Sequence, residues 1–256
     1  MTEVENAFVL DYLRTKTPMK KIPLSQVHRD SPDPRGIDVC LLYRTDRVKL
    51  LHSEFIPIRD KKGKIQDTRE IVYACFEVNG NSNLHVFVNH WPSRRGGELE
   101  TQQKRNHVAS ILRKKIDSLL IVNPACNIVI TGDFNDDPYN QSITKVLKVR
   151  EVNGEPLSSE LYNLSSGFVK KYKTGTLKFR GNWSLFDQII VSGALLNGRG
   201  LSTCSGCAGV FNKSFLLTED KTYMGYMPWR TFNGMTYSGG FSDHLPVYLN
   251  LYFSKP

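Results

Sequence analysis

An α+β fold, with two packed sheets and helices outside them, is what this 256-residue sequence predicts. Three observations lead there. Strand-like segments outnumber helical ones, hairpins alternate with helical crossovers, and several strands carry apolar residues on both faces, as in "IDVCLLY" at 37–43. The 40% hydrophobic content is enough for one large core, and no composition shift, low-complexity run or repeat divides the chain. Residues 1–256 therefore read as a single domain.

Each element follows in order. Residues 4–14 read as a short helix with Val4, Phe8 and Tyr12 at helical spacing, followed by a polar, Pro-rich loop ending in "SPDPRG". "IDVCLLY" is a buried strand and "KLLHSEFIPI" a second extended segment. "REIVYACFEV" alternates at period two, "NGNSN" at 79–83 is a turn signal, and "LHVFVNH" is its partner, so the two form a hairpin. Residues 98–120 give the clearest helix, with Val108, Leu112, Ile116 and Leu119 on one face and Lys and Arg opposite. Then come the strand "NIVIT", a helical stretch near 141–149 and a variable loop to about 174. "FDQIIVS" at 186–192 is a strand, 193–242 is irregular and rich in Gly and aromatics, and "LPVYLNL" is the last strand.

The 34 Lys and Arg against 25 Asp and Glu give a net charge of +9, not collected in a tail. Such a balance favours polyanionic partners, nucleic acid or an anionic membrane face, and otherwise describes a basic surface. No apolar run is long enough to span a bilayer, so no stable membrane insertion is expected. No signal-peptide pattern opens the sequence, which implies the cytoplasm by default, and the periplasm or export if a leader precedes Met1. Cys40, Cys75 and Cys126 sit in apolar strand patterns as small hydrophobes. "CSGC" at 204–207 has no second Cys pair, so a loop disulfide or two free thiols is favoured over zinc.

The chemistry collects at strand ends. In "NIVITGDFNDDP" an apolar strand runs into Asp133 and Asn135, whose alternation places both side chains on one side of the anchor Phe134. Short carboxylate and amide groups fixed at the end of a rigid strand suit a hard cation and an oriented water, although Asp and Asn also make turns and caps. Asp243 and His244 are adjacent in "GGFSDHLPVYLNL", and an imidazole beside a carboxylate can move a proton near neutral pH. Asp187 lies in an otherwise apolar strand, where a carboxylate needs a partner, either a histidine that it orients or an arginine such as Arg180. His90 ends the strand of "VFVNHWPSRRGGE" ahead of Arg94, and Arg35 precedes a strand in "DPRGID"; guanidinium forks match phosphate oxygens.

In this order, "TEVEN", "RGIDVCLLY", "VFVNHWPSR", "ITGDFNDDP", "FDQIIVS" and "GGFSDHLPVYL" make the chain resemble the endonuclease/exonuclease/phosphatase superfamily, deoxyribonuclease I-like and exonuclease III-like, over nearly its whole length. The resemblance implies a four-layer α/β/β/α sandwich of two packed mixed sheets, with the site at one rim between them. It implies Mg²⁺, or Mn²⁺, held by Glu3, with Glu5 a lower-ranked competitor and Asp243 a further metal contact. Asp133 would hold or activate the attacking water, and Asn135 would position it or the phosphate. His244, oriented by Asp187, would be general base or phosphate-polarising group. His90 would hydrogen-bond the phosphate or protonate the leaving oxygen, and Arg35 and Arg94 would contact substrate.

The family's first strand, ending in an Asn well upstream of the metal-binding Glu, has no counterpart before Glu3. The chain as given is thus expected to lack that Asn ligand and a central strand, leaving an unpaired edge and impaired folding or catalysis. The activity implied is metal-dependent hydrolysis of phosphodiesters by in-line water attack, with DNA or RNA the leading substrate, acting as a monomer. Alternatives are a phospholipid-headgroup or small phosphomonoester hydrolase, or a phosphate-binding remnant without turnover. The aromatic and basic stretch "DKTYMGYMPWRTFNGMTY" either folds on its own rings or offers them to bases or a lipid headgroup.

Overall fold

A computed structural model describes residues 1–253. Helix α1 (Ala7–Lys16) starts behind Asn6, whose side-chain oxygen accepts from the Val9 N–H at 3.1 Å. Strands β1 (Leu24–Val27) and β2 (Leu41–Arg44) pair antiparallel. β3 (Val48–Ile56), β4 (Ile71–Val78) and β5 (Ser82–His90) form a meander. Helix α2 (Glu98–Val122) then crosses over, so that β6 (Asn127–Asp133) returns parallel to β5. Next come β7 (Val149–Arg150), β8 (Leu161–Asn163), α3 (Phe168–Tyr172), β9 (Leu177–Phe179), β10 (Asn182–Ser184) and β11 (Asp187–Ser192). Short strands complete the chain: β12 (Leu201–Ser202), β13 (Ala208–Val210), β14 (Leu217–Glu219), β15 (Tyr226–Pro228), β16 (Phe232–Asn233), β17 (Thr236–Tyr237), β18 (Val247–Leu249) and β19 (Tyr252–Phe253).

The centre is a seven-stranded mixed sheet in the order β3-β4-β5-β6-β11-β8-β7. Its two faces divide by strand alternation. Tyr73, Cys75, Phe87, Ile128, Ile130 and Ile190 point toward α2, which packs Val108, Leu112 and Ile116 against them. Each such side chain, taken from water, contributes about 1.5–3 kcal/mol. On the other face Val129, Ile189 and Val191 meet Leu201, Val247 and Leu249, while Val72 and Val88 meet Val27 and Val39. The second layer is built of separate two-stranded ladders, β1–β2, β13–β18 and β12–β19, that are not hydrogen-bonded to one another among the described residues. The expected second sheet is therefore present in pieces.

Several local readings change. Val4 does not begin the first helix; it bridges Asp38. The buried contact of α1 is Leu10, 1% exposed, while Phe8 and Tyr12 are 73% and 55% exposed. Phe8 and Tyr12 pack on each other at 6.4 Å instead of on the core. The supposed variable loop before residue 174 contributes β7 and β8 to the main sheet, with Leu161, Tyr162 and Asn163 all buried. A three-residue strand is too short to show period-two alternation. Cys204 and Cys207 form a disulfide, and Cys40, Cys75 and Cys126 are buried free thiols. No helix of the described residues is long and apolar enough to cross a membrane.

Candidate active site

Three adjacent strands end at one level. The β5–β6 register sets His90 beside Asp133, and the β6–β11 register sets Asp133 beside Asp187. The close approach of β5 and β6 depends on Gly132, whose φ is +124° and whose Cβ would fall 2.0 Å from the Asn89 carbonyl oxygen. Beyond the strand, Phe134 is fully buried edge-on to Trp91. Asn135 then takes a left-handed backbone, φ 50°, which Asn tolerates better than most residues. Its backbone N–H and its Nδ2 donate to the two Asp133 carboxylate oxygens at 2.8 and 3.0 Å. Nδ2 also donates to the Trp91 carbonyl at 3.0 Å. With both amide hydrogens engaged, Asn135 orients Asp133, while its Oδ1 has no protein partner among the described residues.

The fourth component arrives from the C-terminal end. A bridge between Leu177 and His244, with Leu245 buried beneath, fixes His244 above β11. Its Nδ1 lies 2.6 Å from the Asp187 carboxylate, which decides the partner of Asp187 in favour of histidine over Arg180. Nε2 has no protein partner among the described residues. Burial opposes a charge on His244, but Asp187, Asp133 and Asp243 outweigh it and push its proton affinity well above the ordinary histidine range. Asp133 is pushed up in turn, by burial first and then by the Asp187 charge.

Glu3, Asp133, Asp187, Asp243 and His244 line one cleft of about 790 Å³. Glu5 is exposed and does not line it. Arg230, Phe232 and Phe241, from the aromatic and basic stretch of the sequence reading, line the same cleft. Glu3, Asp133, Asp187 and Asp243 bring to this cleft hard oxygen donors of the kind Mg²⁺ and Mn²⁺ take. A second grouping, His28, Asp30 and Asp38, brings three donor atoms within 4.8 Å. There His28 Nε2 already bonds Asp38 at 2.9 Å, which satisfies the buried pair with a proton alone.

The other named residues fall into two groups. His90 is buried behind Asp133, 3.6 Å from its carboxylate. Burial, then Arg69, Arg35 and His244, lower its pKa to about 3, which favours the neutral ring. Arg35 is half exposed, with Nε and Nη2 on Asp33, and close enough to sense the Glu3 charge. Arg94 is corrected outright. Its Nε and Nη2 bond the Asn135 carbonyl, Asp136, Asp137 and Asn140, its Nη1 bonds Glu98, and its plane lies 4.5 Å from the Phe186 ring. It is a clamp on the loop after β6. Asp136, paired with buried Arg105 at 2.7 Å, and Asp137, which accepts from the Leu185 N–H, belong to the same scaffold.

The model of the "Endonuclease/Exonuclease/phosphatase family" matches residues 1–253. No curated protein matches the chain. Among solved structures, the mannosyl-6-phosphatase of Bacteroides thetaiotaomicron superposes with a TM-score of 0.61 at 18% identity, over 98% of this chain and 84% of that one. TDP2 of D. rerio, in complex with a single-strand DNA product, gives 0.59 at 15% identity, over 98% and 84%. The human Nocturnin catalytic domain with a bound sulfate anion gives 0.58 at 15% identity, over 98% and 79%. These likenesses carry the fold, an α+β architecture of the deoxyribonuclease I type, and the sequence match across the whole described chain carries the family. The chain belongs to the endonuclease/exonuclease/phosphatase family.

Proposed function

We propose that this chain is a divalent-metal-dependent phosphodiesterase that attacks phosphorus in line with water, and that its substrate is nucleic acid. Members of the family hydrolyse phosphoester bonds and commonly use divalent metals. The observation that carries the reading is the register of β5, β6 and β11, which sets Asp133 and the Asp187–His244 pair side by side in one cleft. The +9 net charge supports a polyanionic substrate over a small neutral headgroup.

Glu3 and Asp243 would hold Mg²⁺ or Mn²⁺, which when bound neutralises charge on the phosphoryl group and the leaving oxygen. The residues do the rest. Asp133, fixed by two bonds from Asn135 and with raised proton affinity, takes a proton from the attacking water. His244, held by Asp187 through Nδ1, turns Nε2 to a phosphoryl oxygen and donates to it as an imidazolium. The new bond from the water oxygen to phosphorus forms as the ester P–O bond opposite breaks, with no covalent enzyme intermediate. Arg35, whose Nη1 has no partner among the described residues, is placed to meet substrate oxygens beside Glu3.

The test is a substrate panel with Mg²⁺ and with EDTA: plasmid and abasic DNA, RNA, bis(p-nitrophenyl) phosphate, sphingomyelin and inositol phosphates. Turnover of DNA or RNA is expected, lost in EDTA and reduced about 10²–10⁴-fold in His244→Ala. Faster turnover of sphingomyelin or an inositol phosphate would move the assignment to a headgroup or phosphomonoester hydrolase. Salt-sensitive DNA binding with no turnover of any substrate would make the chain a binding protein.

A further inference from the structure

The cleft that holds the carboxylates has a cation that the hydrolytic step does not use. Arg230 lines the cleft, and its Nε is buried without a hydrogen-bond partner. Among the described residues its side chain forms no ion pair, although four carboxylates line the same cleft. An arginine left uncommitted inside an acidic cleft is placed for an incoming anion, because a buried guanidinium N–H without an acceptor is costly. Beside it stand Phe232 and Phe241, 55% and 60% exposed, with ring area turned to solvent.

These groups sit on a braced support. Thr231 accepts from the Ser238 N–H, the Phe241 N–H bonds the Trp229 carbonyl, and Trp229 Nε1 bonds the Ser238 carbonyl at 3.0 Å. Gly240 lets the two strands close, since a Cβ there would lie 2.1 Å from the Trp229 oxygen. Phe241 packs edge-on to Trp229 and to Phe215 at 5.9 Å each. The rings are therefore held in place and do not have to be ordered when a ligand arrives. At about 790 Å³, the cleft is far larger than one phosphate group needs.

We propose that Arg230, Phe232 and Phe241 form a subsite for a single-stranded nucleic acid, with the guanidinium on a phosphate flanking the reacting one and the rings stacked on a base. This rests on the phosphodiesterase reading and names its substrate class. A base inside a duplex keeps its faces covered, so only an unpaired strand can offer one to these rings. The guanidinium makes no ion pair with the carboxylates that would hold the metal, so its anion is a neighbour of the reacting phosphate.

The experiment measures binding and turnover separately. A fluorescein-labelled oligothymidylate is titrated in Mg²⁺ into the His244→Ala chain, alone and combined with Arg230→Gln, Arg230→Lys or Phe232→Ala. Arg230→Gln and Phe232→Ala are each expected to weaken Kd by about tenfold. Arg230→Gln also lowers the log–log salt slope by about 0.7, and Arg230→Lys retains the slope. A duplex of the same length binds about tenfold more weakly than the strand. Folding is controlled by an unchanged Tm, with Arg230→Lys as the conservative second variant. Unchanged Kd and slope in Arg230→Gln overturn the subsite, as does equal affinity for duplex and strand. Tighter binding to phosphatidylglycerol vesicles than to the strand overturns it too. No turnover of any substrate by the unsubstituted chain in Mg²⁺ would instead overturn the hydrolytic assignment, so the two failures are told apart.

Discussion

The rim of the seven-stranded sheet and the 229–241 hairpin both line one cleft and are built by opposite means. The rim is the end of long, doubly covered strands, where Asp133, Asp187 and His90 are held by ladder register. The hairpin is two residues of ladder on each side, tied by side-chain bonds and ring contacts, with Met235 at its tip 99% exposed. One wall fixes charge where geometry must be exact to fractions of an ångström; the other presents recognition surface on a part that can change without disturbing the core.

Breaking the rim should give the largest effects. Asp187→Ala removes the partner that orients His244 and is expected to lower kcat on bis(p-nitrophenyl) phosphate by about 10³–10⁴-fold, with Tm little changed. A loss under tenfold would mean that the pair is structural. Arg105→Ala removes the nearer of the two guanidinium groups on the buried Asp136 carboxylate and leaves only Arg94 at 3.3 Å, at a cost of about 3 kcal/mol. Thermal melts should show a Tm lower by roughly 10 °C.

The metal separates the two walls. At about one hundred times its Kd, Mg²⁺ should stabilise the chain by about 2.7 kcal/mol. Glu3→Gln should remove that shift in calorimetry, and Phe232→Ala should keep it.

Beside the rim, burial works against an Asp33 charge, yet hydrogen bonds from Arg35 and Arg69 prevail and hold the carboxyl at about 2, below its ordinary 3.8. A depressed acid stabilises the fold fully above its unfolded value and loses that contribution as pH falls through the folded value. The stability gap between the protein and Asp33→Asn should be on the order of 2 kcal/mol at pH 6 and close as pH drops from about 4 to 2. The smallest effect belongs to the hairpin tip, where Met235→Ser should change stability by less than about 0.5 kcal/mol.

Legibility in the sequence follows the same division. Long strands announce themselves by alternation, so the β4–β5 hairpin, α2, β6 and β11 were readable close to their true bounds. Asp133, Asp187 and His244 were readable because each breaks an apolar pattern that must be compensated. Arg94 was misread because the Asp136 and Asp137 that engage it lie more than forty residues away in the chain. The stretch holding Arg230 was readable only as a choice between rings folded on themselves and rings offered to bases, because it has no periodicity and nothing local marks a guanidinium that folding leaves uncommitted. The α1 stripe failed because exposed rings at helical spacing resemble a core face until a neighbour is found to be missing.

The parallel pairing of β5 with β6 has a consequence in time. Parallel neighbours cannot be joined by a tight turn, so this pair closes only after the whole intervening crossover, α2 included, has docked. Asp187 and then His244 are recruited from still farther along the chain. Contacts of such sequence separation form slowly. During recovery from denaturant, helical signal should therefore return before hydrolysis does, and the interval between them would time the assembly of the strand ends.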